Sequence, residues 1–160
     1  MIKNMGLFWK REDVNFGAKG KGKKGSLSGK LSTAKKSGDV DFWEQVGIYA
    51  LYADYRLVYI GQTGGKGNRL GSRLRQHTQD DLAGRWDSFS WFGFSIVKKN
   101  NTLTDPPRNK QNNLSNILNI MEGVVIAVAE PPLNRQGGRF KDVERYLHVS
   151  VLQPRKLGSG

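Results

Sequence analysis

The chain reads as an α/β protein of the α+β kind, a small antiparallel β-sheet flanked by helices. Three observations predict this: a β-hairpin between residues 46 and 62, a third alternating aromatic strand at 87–97, and a long amphipathic helix at about 111–130. The hairpin comprises Val46 to Ala53 and Arg56 to Gln62, two runs of β-branched and aromatic residues joined by Asp54-Tyr55. Side chains alternate across a strand, so Tyr49 on one strand and Tyr59 on the other can aim their hydroxyls at one point beside the sheet.

After the hairpin, Thr63-Gly64-Gly65-Lys66-Gly67 must be a loop. Gly65 and Gly67 resemble the start of a dinucleotide fingerprint, but Leu70 stands where the third glycine belongs and no Gly-Lys-Ser/Thr follows, so no nucleotide cradle is expected. Asn68 is suited to cap a helix running to about Asp80, with Arg69, Arg73 and His77 at successive i, i+4 positions on one face. Asp87 to Val97 alternates with Phe89, Trp91 and Phe94 and predicts the third strand. Residues 98–113 turn polar, and Pro106-Pro107 breaks any regular element there. The helix at about Gln111 to Glu130 carries Leu114, Ile117, Leu118, Met121, Val125 and Val128 as an apolar stripe. A last strand, near Arg145 to Gln153, is expected to pair with the sheet edge or an N-terminal segment.

The 160 residues suffice for one core and an arm, and the net charge of +12 points to an anionic partner, nucleic acid first. Residues 1–38 hold ten basic residues against Glu12 and Asp13, which is +8 of that charge. The Gly/Lys/Ser-rich stretch from Gly17 to Gly38 is expected to be mobile, and the whole reads as a cationic arm that gains affinity for a phosphate backbone from released counterions, while Leu7, Phe8, Trp9 and Phe16 suggest that its beginning packs on something. The expected organisation is an arm over 1–40, a domain over 41–153 and a tail over 154–160. The chain has no cysteine, which excludes disulfides, thiolate metal sites and a cysteine nucleophile. No run of eighteen apolar residues and no secretory h-region is present, so a soluble, cytoplasmic protein without a membrane partner is expected.

Glu122 is the most informative single residue, because its neighbours one turn away, Leu118 and Ile126, are both apolar. A carboxylate at the edge of a buried stripe loses hydration on the order of several kcal/mol unless a cation compensates. Mg²⁺, or Mn²⁺ in its place, is bound by one carboxylate together with substrate phosphate oxygens. Arg73 has the fork of donors that holds two phosphate oxygens, with Arg69 and Arg75 as its rivals. Either Tyr49 or His77 could take a proton from water. Asn134, after Pro131-Pro132, can pin a loop or touch phosphate. Lys21, Lys23, Lys24, Lys30, Lys66, Arg69, Arg75, Lys98, Lys99, Arg108 and Lys110 are candidate nucleic-acid contacts.

The triplets Gly47-Ile48-Tyr49 and Tyr59-Ile60-Gly61, followed by Arg73, His77, Glu122 and Asn134, resemble the GIY-YIG nuclease family over roughly residues 45 to 135. The resemblance implies a metal-dependent endonuclease cutting a DNA phosphodiester by in-line attack of water. On that pattern Tyr49 is the base assisted by Tyr59, His77 orients or shares the proton, Arg73 stabilises charge, and Glu122 holds the metal. The nearly stand-alone chain resembles restriction members, with duplex DNA as the partner and a homodimer, or two successive nicks, for cutting both strands. A binding module without turnover and a nuclease subunit of a repair or defence complex are the alternatives.

Overall fold

The computed structural model describes residues 2–18, 24–33, 38–64, 67–106, 123–124, 128 and 143–150. Seven strands among them form one sheet: β1 (Asn4–Lys10), β2 (Ser28–Leu31), β3 (Val40–Asp41), β4 (Gly47–Ala53), β5 (Arg56–Gln62), β6 (Ser88–Gly93) and β7 (Glu144–His148). Their order across the sheet is β3-β2-β7-β1-β6-β4-β5. Helix α1 spans Leu70–Gln76. The protein is therefore a mixed α+β protein, but its sheet is larger than the one expected. It is also not wholly antiparallel, since β7 runs parallel to β1.

The largest departure is at the N-terminus, where the described residues of the expected arm belong to the sheet: its apolar beginning packs, as Leu7 and Trp9 suggested, and part of the stretch expected to be mobile forms β2. β1 is an interior strand between β7 and β6, and β2 and β3 extend the sheet beyond β7. Met5, Leu7 and Trp9 are all buried. Trp9 lies edge-on to Phe42, Phe89 and Trp91 and stacks flat on the His148 ring at 4.4 Å. Gly29 of β2, which looked like flexible filler, leaves the space that the Trp9 and Phe42 rings occupy. The misreading has a plain cause: β2 is Ser-Gly-Lys-Leu, and its burial comes from rings on other strands rather than from its own side chains.

The hairpin has the expected bounds to within one residue. Asp54 (φ 48°) and Tyr55 (φ 63°) form a two-residue turn with both φ positive, which matches the twist of the flanking strands. β6 is shorter than the expected 87–97, because side chains take over the backbone groups that would continue it. The Gln45 carboxamide oxygen accepts from the Ser95 N–H at 3.0 Å, and Asn4 Nδ2 donates to the Ser95 carbonyl at 2.8 Å. α1 is capped at Arg69 rather than Asn68, since the Ser72 hydroxyl accepts the Arg69 N–H at 3.0 Å. His77 closes α1 as its C-cap, and turns carry the chain on to Asp80.

β4 divides the core into two layers by simple alternation. Tyr49 and Leu51 face α1, packing with Leu70 and Leu74, whereas Ala50 and Tyr52 face Val124 and Val128. Gly123, Val124 and Val128 are helical. The remainder of the expected 111–130 helix, including Glu122, lies outside the described residues. So do Asn134, Lys21, Lys23, Lys66, Arg108 and Lys110. No helix among the described residues is long and apolar enough to cross a membrane.

Candidate active site

Both motif glycines make room for something. A Cβ on Gly47, whose φ is +154°, would fall on the Phe92 carbonyl oxygen, so only glycine lets β4 close against β6 there. Gly61 is the cross-strand partner of Tyr49, and a Cβ on it would strike the Tyr49 phenol. The second glycine thus forms the slot in which the first tyrosine lies, with no part of Tyr49 exposed. Tyr59 is the diagonal neighbour on the same face and is half-buried.

The helix is tied to β4 by its own unsatisfied N–H groups. Leu70 N–H donates to the Gln45 carbonyl and Gly71 N–H to the Trp43 carbonyl, each at 2.9 Å. Gly71 lies against the Trp43 indole, where a side chain would collide with the ring. Gln45 is itself held by Asn4, Val46 and Ser95, so the start of β4 and the start of α1 share one buried anchor.

The result is a convergence of side chains from three elements. The Tyr49 hydroxyl lies 2.7 Å from His77 Nε2, and His77 Nδ1 lies 2.7 Å from Asp80 Oδ2. The Tyr59 ring centre is 6.1 Å from that of Tyr49 and 5.0 Å from that of His77. Burial pushes the Tyr49 phenol up to about 12, with Arg73 pulling the other way by hydrogen bonding and charge. Arg73 loses some hydration, but Tyr49 and Tyr59 more than offset this and hold it protonated. Its Nη1 also donates to Gln76 Oε1 at 2.6 Å.

Comparison with known proteins yields no match to a family model, to a curated protein or to a solved structure. The site's chemistry therefore has to be read from its own geometry. A cleft of about 480 Å³ lies at the β5 edge, lined by Tyr59, Gly61 and Arg73 and, on the other face of the sheet, by Ile48, Ile60, Gln62 and Val124, two residues beyond Glu122 in sequence. A larger cavity of about 760 Å³ at the hairpin tip, bordered by Lys10, Arg11, Tyr55 and Trp86, includes none of the expected catalytic residues.

Of the expected site residues, Tyr49, Tyr59, Arg73 and His77 come together. Arg69 turns instead to Glu44, with Nε 3.8 Å from its carboxylate. Lys24 and Lys30 are exposed and form surface ion pairs with Glu44 and Asp39, at 2.5 Å and 3.8 Å. Such pairs add little stability and leave the lysines free to exchange partners. Lys98 and Lys99 are exposed, while Arg75 is half-buried. Among the described residues no three His, Asp or Glu side chains gather to hold a metal ion. Sequence reasoning missed Asp80, Gln45 and Trp86, whose indole N–H donates to the His77 carbonyl at 3.0 Å. The His77-x-x-Asp80 spacing was the available signal for the first.

Proposed function

We propose that this protein is a metal-dependent endonuclease that hydrolyses DNA phosphodiester bonds, in the manner of the GIY-YIG nucleases its motifs resemble. One observation carries the reading: a buried phenol bonded to a buried imidazole, beside an arginine that borders an open cleft. Two phenols and an imidazole in contact have little structural purpose that leucine or phenylalanine would not serve as well, whereas together they can move a proton.

In this reading the scissile phosphate lies in the cleft against Arg73, which holds its oxygens and offsets the charge of the pentacoordinate transition state. The attacking water sits in line on the tyrosine side and gives its proton to Tyr49, whose own proton passes to His77. Tyr59 borders the passage between cleft and Tyr49. Glu122 is the proposed ligand of Mg²⁺, which when bound supplies charge neutralisation at the phosphate and lowers the pKa of coordinated water. The exposed Lys98 and Lys99 are proposed to take neighbouring phosphates. Duplex DNA is the proposed substrate, with both strands cut by a dimer or by two successive nicks.

The full burial of Tyr49 supports a second reading, a nucleic-acid-binding module without turnover, because water must pass Tyr59 to reach the phenol. Incubation of supercoiled plasmid with the protein and Mg²⁺ separates the two. Nicked or linear product that is lost with chelator, Tyr49→Phe or Glu122→Ala supports the nuclease. A salt-sensitive gel shift with intact plasmid supports the binding module.

A further inference from the structure

Asp80 holds a place that the motif resemblance does not assign. The carboxylate is pinned at both oxygens: Oδ1 accepts the Leu82 N–H at 2.9 Å, and Oδ2 lies 2.7 Å from His77 Nδ1. Its own backbone N–H donates to the Gln76 carbonyl at 3.1 Å, so the turn after α1 aims it back at the imidazole. The His77 side chain is 3% exposed and that of Asp80 31%, which leaves the imidazole sealed and the carboxylate at the rim. Desolvation is the largest single influence on Asp80 and works against its charge, but the Leu82 N–H, His77 and Arg73 together outweigh it and keep the carboxyl below the ordinary range. An ionised carboxylate only accepts hydrogen bonds, so Nδ1 must carry a hydrogen.

We infer that Asp80 is a positioning residue that holds His77 in the Nδ1–H tautomer, turning the Nε2 lone pair onto the Tyr49 hydroxyl so that the phenol can pass its proton inward. The inference deepens the proposed nuclease reading and rests on it for its catalytic meaning. A free imidazole in water has no such constraint, and the opposite tautomer would point an Nε2–H at the Tyr49 oxygen and block the transfer. The same orienting logic operates where a carboxylate sets the imidazole of a serine hydrolase.

The proton balance is closed. The Tyr49 O–H bond breaks and an Nε2–H bond forms, giving phenolate and imidazolium. The phenolate then takes a proton from the attacking water, and the hydroxide forms the bond to phosphorus as the P–O3′ bond breaks. The departing 3′ oxygen, on the side of the phosphorus away from Tyr49, takes a proton from solvent in the open cleft, and the imidazolium gives its extra proton back through Tyr49 to solvent after product leaves. Among the described residues, Tyr49 from β4, Tyr59 from β5 and Asp80 from the following turn face His77, Trp86 donates to its carbonyl, and Arg73 from α1 acts on Tyr49 and Asp80. Asp80 is therefore the anionic group placed to stabilise an imidazolium.

The test is ¹⁵N NMR of the imidazole rings in the full chain, without metal or DNA. The chain has two histidines, so a His77→Gln spectrum assigns the signals. Wild type is expected to show a protonated Nδ1 and a bare Nε2. Asp80→Asn, whose amide can donate to Nδ1, should reverse the tautomer, and Asp80→Glu should restore it. On plasmid, Asp80→Asn should lower kcat about 100-fold or more and change the pH profile, with KM nearly unchanged. An Nε2–H tautomer in wild type overturns the inference, as does an Asp80→Asn protein with wild-type tautomer and pH profile. If wild type shows the expected tautomer yet cleaves nothing, the nuclease reading fails and the positioning role stands.

Discussion

The two strands of the hairpin present tyrosine to the same face of the sheet and leave it in opposite surroundings. β4 lies between β6 and β5 and is buried along nearly all its length; β5 is the edge strand, with Leu57, Val58 and Ile60 exposed. Tyr49 is consequently enclosed and bonded to His77, while Tyr59 borders the cleft. The difference teaches that a symmetric-looking motif supplies two unlike groups. The interior strand contributes an enclosed phenol bonded to an imidazole, and the edge strand a phenol that reaches an open cleft; in the proposed mechanism the first belongs to a proton path and the second meets substrate.

Four experiments bear on this contrast. The greatest separation is expected in catalysis: Tyr49→Phe should lower the plasmid-cleavage rate by about 10²–10⁴-fold, the range for losing a positioned acid or base, and Tyr59→Phe by much less. Equal losses would mean that the two phenols share one role. Next, Gly61→Ala should destabilise by roughly 1–3 kcal/mol in urea denaturation, since its Cβ meets the Tyr49 ring in a packed slot. Unchanged stability would show that the slot is loose.

The raised ionisation of Tyr49 gives a third, smaller effect. Between pH 10 and about 12 the folded phenol keeps its proton while the unfolded one loses it, so this stabilisation is complete below pH 10 and fades as the pH climbs toward 12. Tyr49→Phe should remove that component from the alkaline stability profile, and Tyr59→Phe serves as the comparison. The smallest change is expected at Ile60, the cross-strand partner of the buried Ala50. Ile60→Ala, on the exposed face of the edge strand, should alter stability by about 0.5 kcal/mol or less, whereas Ala50→Leu at the buried partner should be destabilising by roughly 1–3 kcal/mol.

Legibility followed the range of the interactions. The hairpin was readable because strand alternation, turn residues and the tyrosine spacing all lie within seventeen residues. Arg73 and His77 were readable because helical spacing is local, although the rivalry with Arg69 was not: the Arg69–Glu44 contact joins α1 to the segment before β4. The N-terminal strands were missed because composition measures a segment's own apolar content. β2 is covered by Trp9 and Phe42, which come from elsewhere in the chain. Asp80 left only a weak trace, its i, i+3 spacing from His77, because an aspartate in a polar turn gains its role when the turn aims it at the imidazole.

By itself the sequence determined the periodicities, the turn at Asp54-Tyr55, the absence of thiol chemistry and the order of the chemistry-bearing residues. The tertiary structure alone decided which strand lies inside the sheet, which tyrosine is enclosed, which arginine reaches it and which carboxylate backs the histidine. The physical reason is that burial and desolvation are sums over neighbours from distant parts of the chain. A local pattern specifies which side chains are available, and only packing assigns each its dielectric surroundings and its hydrogen-bond partners.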